Sequence, residues 1–191
     1  IKQKVINLAL SFGDEITAVR FAGGSPVGEG VFSLSMVFSC KNAAKMKTLM
    51  GQECTLINDI VQTVLAPKEP DFKSLKFEYV KGAESVGSMT VDAVEMKHAS
   101  LAELDEQQKK KMTSVIGEDK MRALVASPDA KTVVVTFGGG MKFLQEAVAA
   151  ATAGGTIQSD PGVAAALKEL PDKRYFTMVF SMKNLLKAIR Q

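Results

Sequence analysis

The chain has 191 residues, a formal net charge of +3 and 46% hydrophobic residues, a size that suits one domain with its own core. So small a net charge does not favour a nucleic-acid partner or a charged membrane surface. Its one histidine and two cysteines, without a Cys-x-x-Cys pair, exclude a conventional zinc site. No apolar run approaches about 18 residues, so no transmembrane segment is predicted.

The first third of the chain predicts alternating helices and strands. Residues 1–12 fit both a helical stripe and strand alternation; we favour a helix, ended by Gly13-Asp14. Residues 16–21 read as a strand and the glycine-rich stretch 23–30 as a loop. Residues 31–39 read as a second strand, after which Asn42 caps a helix to about residue 51. A second helix is predicted over 55–65.

The remainder predicts further strand pairs and helices. Residues 75–80 and 86–97 read as strands around a turn at Lys81-Gly82. Ser100 and Glu103 suggest a capping box for a helix reaching residue 116, which Gly117 stops. Residues 121–126 and 132–137 read as an antiparallel pair, followed by an apolar helix over 141–153. A helix over 163–170, a strand over 174–181 and a helix over 184–190 complete the chain.

Because the strands come in neighbouring pairs, the sequence predicts an α+β domain with a mainly antiparallel sheet and helices packed on one face. Residues 1–191 are expected to form one domain or two intertwined repeat halves. Since the chain begins with Ile1 rather than methionine, we expect it to be part of a longer protein.

One phrase occurs twice in the chain. Residues 36–42 read MVFSCKN and residues 178–184 read MVFSMKN. Each copy ends a predicted strand and starts a predicted helix, so residues 31–49 and 173–190 suggest a duplicated strand–helix unit. Residues 132–150 resemble a weaker third copy. Chance is the alternative because the match is short, but duplication is favoured and predicts a pseudo-symmetric domain.

The stretch TFGGGMKF at 136–143 is the main candidate binding motif. Backbone N–H groups at a helix N-terminus bind phosphate well, and Lys142 could reach such an anion. The pattern matches neither GxxxxGK[ST] nor GxGxxG, so a tight strand-to-helix turn is the favoured interpretation. The alternative is an anion site formed by Gly138, Gly139, Gly140 and Lys142.

No set of catalytic residues emerges from the sequence. His98 is the only imidazole, no GxSxG nucleophile motif is present, and the paired carboxylates fall in turns or on a polar helix. We therefore predict no enzyme activity, no cofactor and no metal site. Cys40 and Cys54 could form a disulfide in an exported protein. Buried thiols are the simpler alternative, because Cys40 matches Met182 in the repeated phrase.

The chain resembles a bacterial family of uncharacterised proteins that are predicted to be exported or lipid-anchored. The resemblance rests on TVVVTFGGG at 132–140, SDPGVAAALKELP at 159–171 and RYFTMVFSMKNLLKAI at 174–189. Residues 77–96 resemble the middle strand pair of that family. The resemblance implies an extracytoplasmic α+β scaffold, and it supplies no catalytic residue.

These observations lead to three functional hypotheses. The favoured one is a non-enzymatic extracytoplasmic interaction or scaffolding domain with a protein partner, which an exposed apolar patch would support. The second is a carrier of an apolar small molecule or lipid in a cleft lined by some of its ten methionines and ten phenylalanines, which needs a deep apolar pocket. The third is a phosphate-handling enzyme that uses the glycines at 138–140 and Lys142.

Overall fold

A computed structural model describes residues 1–24 and 30–153, together with the isolated positions 165 and 168. In chain order, its elements are helix α1 (Lys2–Glu15), strands β1 (Ile16–Gly24) and β2 (Ser33–Cys40), helix α2 (Ala43–Ile60), strands β3 (Lys76–Val86) and β4 (Met89–Lys97), helices α3 (Ala99–Ala102) and α4 (Glu106–Ile116), strands β5 (Arg122–Asp129) and β6 (Thr132–Phe137), and helix α5 (Gly140–Thr152). A π-helical segment, Val61–Leu65, extends α2, and a 3-10 helix, Pro70–Ser74, precedes β3. Apart from positions 165 and 168, the predicted elements at 163–170, 174–181 and 184–190, and with them the second copy of the repeat, lie outside the described residues.

The six strands form one sheet in the order β1-β2-β6-β5-β4-β3. Every pair of neighbouring strands is antiparallel. This confirms the predicted α+β class and the antiparallel sheet. Within the described part of the chain, β1 and β3 are the two edge strands.

Helices cover both faces of this sheet, which corrects the expectation of helices on one face. One core cluster lies on the α2 side and contains Met46, Val125, Val133 and Val135. The other lies on the α5 side and contains Leu124, Ala126, Val134 and Leu144. Consecutive residues of β5 and β6 thus point to opposite faces and are buried on both. Such continuous apolar runs are typical of strands covered on both sides.

Helices α1 and α2 lie on the same face of the sheet and run antiparallel to each other. At one end, Lys4 Nζ of α1 lies 2.8 Å from a carboxylate oxygen of Asp59 in α2. At the other end, Lys45 Nζ lies 3.0 Å from Glu15 Oε2. Glu15 also accepts a hydrogen bond from the backbone N–H of Asn42, at the start of α2. A carboxylate is favoured at that position because the N-terminus of a helix carries partial positive charge.

Several predicted boundaries differ from the structure. α1 continues through Gly13 to Glu15, and α2 is one helix of 18 residues rather than two separated near Gly51. The β3–β4 turn lies at Gly87, whose φ is +58°, whereas Lys81-Gly82 belongs to an irregular stretch of β3. The capping box of α4 is formed by Asp105 and Gln108 rather than by Ser100 and Glu103.

Candidate functional site

The three glycines of the predicted anion site form a left-handed turn between β6 and α5. Gly138, Gly139 and Gly140 have φ values of +74°, +71° and +60°. The N–H of Gly139 donates to the carbonyl oxygen of Ile116 at 2.7 Å. A Cβ on Gly138 would lie 2.3 Å from the carbonyl oxygen of Phe32. The glycines therefore have a backbone role, since only glycine combines this conformation with this close approach.

The surroundings of the turn do not add support for an anion. A Cβ on Gly140 would lie 3.7 Å from Cγ of Glu118, so a carboxylate side chain borders the turn. Arg122 is the nearby cation, but it donates to Glu118 at 2.9 Å and to Glu84 at 3.0 Å. Lys142 is exposed on α5. The anion site stays a prediction, and the tight-turn interpretation accounts for the geometry.

Substitution of Gly138 tests this interpretation. We expect Gly138→Ala to lower the free energy of unfolding by about 2 kcal/mol, because an L-residue in the left-handed region costs roughly 1–2 kcal/mol before the clash with Phe32 is counted. Gly13→Ala is the matched control, since its Cβ would meet nothing within 4 Å in α1. It should stabilise the protein by about 0.5–1 kcal/mol. Urea unfolding measures both; equal effects would contradict the assigned role.

A buried aspartate joins three parts of the fold on the α2 side of the sheet. Asp92 is 3% exposed in β4. Its Oδ2 accepts from the Tyr79 hydroxyl at 2.7 Å and lies 2.8 Å from Lys47 Nζ, while Oδ1 accepts from the Gly82 N–H at 2.9 Å. Tyr79 belongs to β3, Lys47 to α2, and Gly82 to the irregular stretch of β3. The carboxylate therefore fixes α2 against the edge of the sheet.

Burial opposes ionisation of Asp92, but hydrogen bonds from Lys47, Gly82 and Tyr79 outweigh it and hold the pKa of the carboxyl below its usual value. Burial and the hydrogen bond to Asp92 raise the pKa of Tyr79. The tyrosine thus keeps its proton and remains a donor. This network was not predicted from the sequence, although an aspartate between Val91 and Ala93 in a strand is a signal for a buried polar contact.

The lowered pKa of Asp92 predicts a dependence of stability on pH. An aspartate that is more acidic in the folded state stabilises it above the ordinary pKa of about 3.9 and loses this contribution as pH falls through the folded value. We expect wild type to exceed Asp92→Asn in free energy of unfolding at pH 7. The gap should shrink below about pH 4. Urea unfolding of both proteins from pH 7 to pH 2.5 tests this, and a constant gap would contradict it.

A groove of about 410 Å³ lies between α2 and β3, beside this network. Thr48, Gly51, Gln52 and Thr55 form its helix wall, and Phe77, Tyr79 and Lys81 form its strand wall. The groove is open to solvent, and lysine, threonine and glutamine side chains are among those that border it. No methionine and a single phenylalanine, Phe77, line it, whereas an apolar carrier needs an enclosed pocket lined mainly by such side chains.

The remaining candidate side chains are engaged in local structure. Cys40 and Cys54 are free, buried thiols, so they do not form the disulfide considered from the sequence. Burial raises the pKa of both thiols, which keeps them protonated and weakly reactive. His98 precedes α3, where the hydrogen-bond network indicates that Nδ1 accepts from the Ser100 N–H and Nε2 donates to the carbonyl of Asp71.

Large apolar side chains are exposed on α1 and β1. We call this set the apolar surface; it consists of Ile1, Val5, Ile6, Leu10, Val19 and Phe21. Leu10 and Phe21 are the most exposed, at 64% and 61%. Val19 and Phe21 pair with Phe38 and Met36, which pack on the α2-side core, so they lie on the face of the sheet that carries α1. The first helix thus leaves part of this face open.

In residues 1–24 and 30–153, no helix combines the length and apolar character that a membrane crossing requires. Comparison of the chain with family models, curated proteins and solved structures found no match. The resemblance to exported or lipid-anchored bacterial proteins therefore stays a prediction.

Proposed function

We propose that this chain is a non-enzymatic interaction domain that binds a protein partner through the apolar surface of α1 and β1. The exposure of Leu10 and Phe21 carries this proposal. Exposed apolar patches mark interaction surfaces on monomeric proteins, and α1 and β1, which are consecutive in the chain, carry the large exposed side chains of the apolar surface. An aromatic residue such as Phe21 also provides the apolar contact area on which binding energy concentrates.

The edge position of β1 adds a second reason. Its outer side has no neighbouring strand among the described residues. A partner could therefore pair with its backbone while packing on Val19 and Phe21, as in complexes where a strand is added to a sheet. This arrangement uses both the polar backbone and the apolar side chains of the strand.

The competing functions have less support in the described geometry. A lipid or apolar molecule is usually enclosed by a pocket lined with hydrophobic side chains, whereas the groove between α2 and β3 is open to solvent and bordered by lysine, threonine and glutamine side chains. Catalysis needs titratable groups that face a substrate. His98 and Asp92 instead hold structural hydrogen bonds.

The location outside the cytoplasm is part of this proposal and depends on the resemblance alone. Fractionation of cells that produce the full-length protein checks it. Recovery with the cell envelope or outside the cell supports the proposal, and recovery in the cytoplasm contradicts it.

Affinity capture from native cells tests the proposed surface. We expect the wild-type domain to retain a protein that the double variant Leu10→Asp/Phe21→Asp does not retain. Val115→Asp is the matched control, because Val115 is 47% exposed but lies outside the apolar surface. It should retain the partner. Equal capture by all three proteins would contradict the proposal, as would a lipid-sized mass released from the wild type in native mass spectrometry.

A further inference from the structure

The outer edge of β3 is bonded by an amide side chain from α2. Asn58 Nδ2 donates to the carbonyl oxygen of Phe77 at 2.7 Å, and the Phe77 N–H donates to Asn58 Oδ1 at 2.8 Å. This pair of bonds is the one that the backbone of an added strand would make to Phe77. The backbone N–H and C=O of Phe77 thus point toward α2 rather than toward β4, and they bind the amide of Asn58, which is chemically similar to a peptide group.

The same edge continues at Tyr79, for whose backbone the described part of the chain supplies no such partner. In an antiparallel pair, the N–H and C=O of a residue point to one side and alternate along the strand. The backbone N–H and C=O of Phe77 point away from β4. Its partner Met96 agrees with this, because the Met96 N–H points away from β3 and donates to the carbonyl oxygen of Met121. Tyr79, two residues on, must therefore present its N–H and C=O to the same outer side. The irregular stretch ends this edge, because the Gly82 N–H turns to Asp92.

The groove between α2 and β3 gives access to that free backbone. Thr48, Gly51, Gln52 and Thr55 line it from one face of the helix, at the spacing expected of neighbours on a helix surface. Asn58 follows on the same face. Gly51 lies against the ring of Tyr79 and adds no side chain to the groove. The volume of about 410 Å³ lies in the range of roughly 300–1,000 Å³ that is typical of ligand sites.

The charges around the groove favour an acidic side chain in the bound segment. Lys47 is paired with Asp92, and Glu78 is paired with Lys97. Lys81 is exposed and makes no ion pair within the described ranges. It is therefore available to meet an opposite charge, and an ion pair at this position would add specificity rather than bulk affinity.

We propose that the α2–β3 groove binds a short extended peptide segment of a partner protein. The segment adds as a strand beside Tyr79 and places an acidic side chain near Lys81, a mode in which backbone hydrogen bonds give affinity and side-chain contacts give specificity. This site is separate from the apolar surface of α1 and β1, so the proposal of a peptide site does not depend on the proposed function.

Hydrogen exchange in the free protein tests the open edge. We expect the amide of Tyr79 to exchange at least tenfold faster than those of Glu78 and Val80, which point toward β4, and than that of Phe77, which Asn58 covers. Equal protection of the four amides would overturn the proposal, because no free edge would then exist for a peptide to join.

Selection from a library of random linear decapeptides, displayed on phage, tests the binding itself. We expect enriched peptides to carry an acidic residue, to protect the Tyr79 amide when bound, and to bind Gln52→Trp at least tenfold more weakly, since the indole would fill the groove. Lys81→Glu should change the preference from acidic to basic peptides, whereas Lys142→Glu, on α5, should leave affinity unchanged. No enrichment, or peptides that bind Gln52→Trp and Lys81→Glu as well as wild type, would overturn the proposal.

Discussion

Replacement of Asp92 with alanine is expected to lower the free energy of unfolding by about 3–5 kcal/mol. The carboxylate is 3% exposed and accepts from Tyr79 and Gly82 while pairing with Lys47. Its removal leaves the ammonium group of Lys47 without its ion-pair partner and the Gly82 N–H without an acceptor, in a partly buried site. Urea unfolding at pH 7 measures the loss, which would be a large share of the roughly 5–15 kcal/mol that stabilises a typical domain.

The control for Asp92 is the ion pair between Lys4 and Asp59. Both side chains are exposed, at 68% and 40%, so Asp59→Ala should cost no more than about 1 kcal/mol. If Asp92→Ala cost as little as Asp59→Ala, the network would not hold α2 against β3 and β4 as described.

Shortening one buried side chain in either core cluster is expected to lower the free energy of unfolding, because each face of the sheet has its own core. Met46 in α2 and Leu144 in α5 are each 0% exposed. Each change to alanine should therefore cost about 2–5 kcal/mol, from lost apolar burial and from the cavity left behind. Because the two residues belong to separate clusters, the double variant should lose close to the sum of the two single losses.

Val64→Ala is the control for these two variants, since Val64 is 40% exposed and should cost much less. A small cost for Leu144→Ala beside a large cost for Met46→Ala would mean that only one face of the sheet is covered. That outcome would instead support helices on one face only, as predicted from the order of the elements in the sequence.

Local signals predicted much of the fold correctly. Asn42 caps α2 through its side chain, and Gly117 ends α4 in the left-handed conformation, because caps depend on a few neighbouring residues. The β5–β6 pair also follows from a short turn between two apolar runs. Such features involve residues close together in sequence, so a single sequence carries them.

Features that depend on distant contacts were missed or misplaced. Gly51 looked like a helix break, but it lies inside α2 where the helix meets the ring of Tyr79. The Asp92 network joins residues from separate elements, and no local pattern specifies their meeting. The coverage of both faces did have a signal in the continuous runs at 124–126 and 133–135, which the expectation of one covered face did not use.

Site-specific photo-crosslinking tests the proposed interaction surface most directly. A photoreactive side chain would replace Leu10, Phe21 or Val64, one at a time, in the full-length protein within its own cells. We predict that the Leu10 and Phe21 positions crosslink to the same protein partner, and that the exposed control position Val64, outside the apolar surface, does not. Failure of both positions to crosslink to a protein, or equal crosslinking from Val64, would contradict a partner bound through α1 and β1.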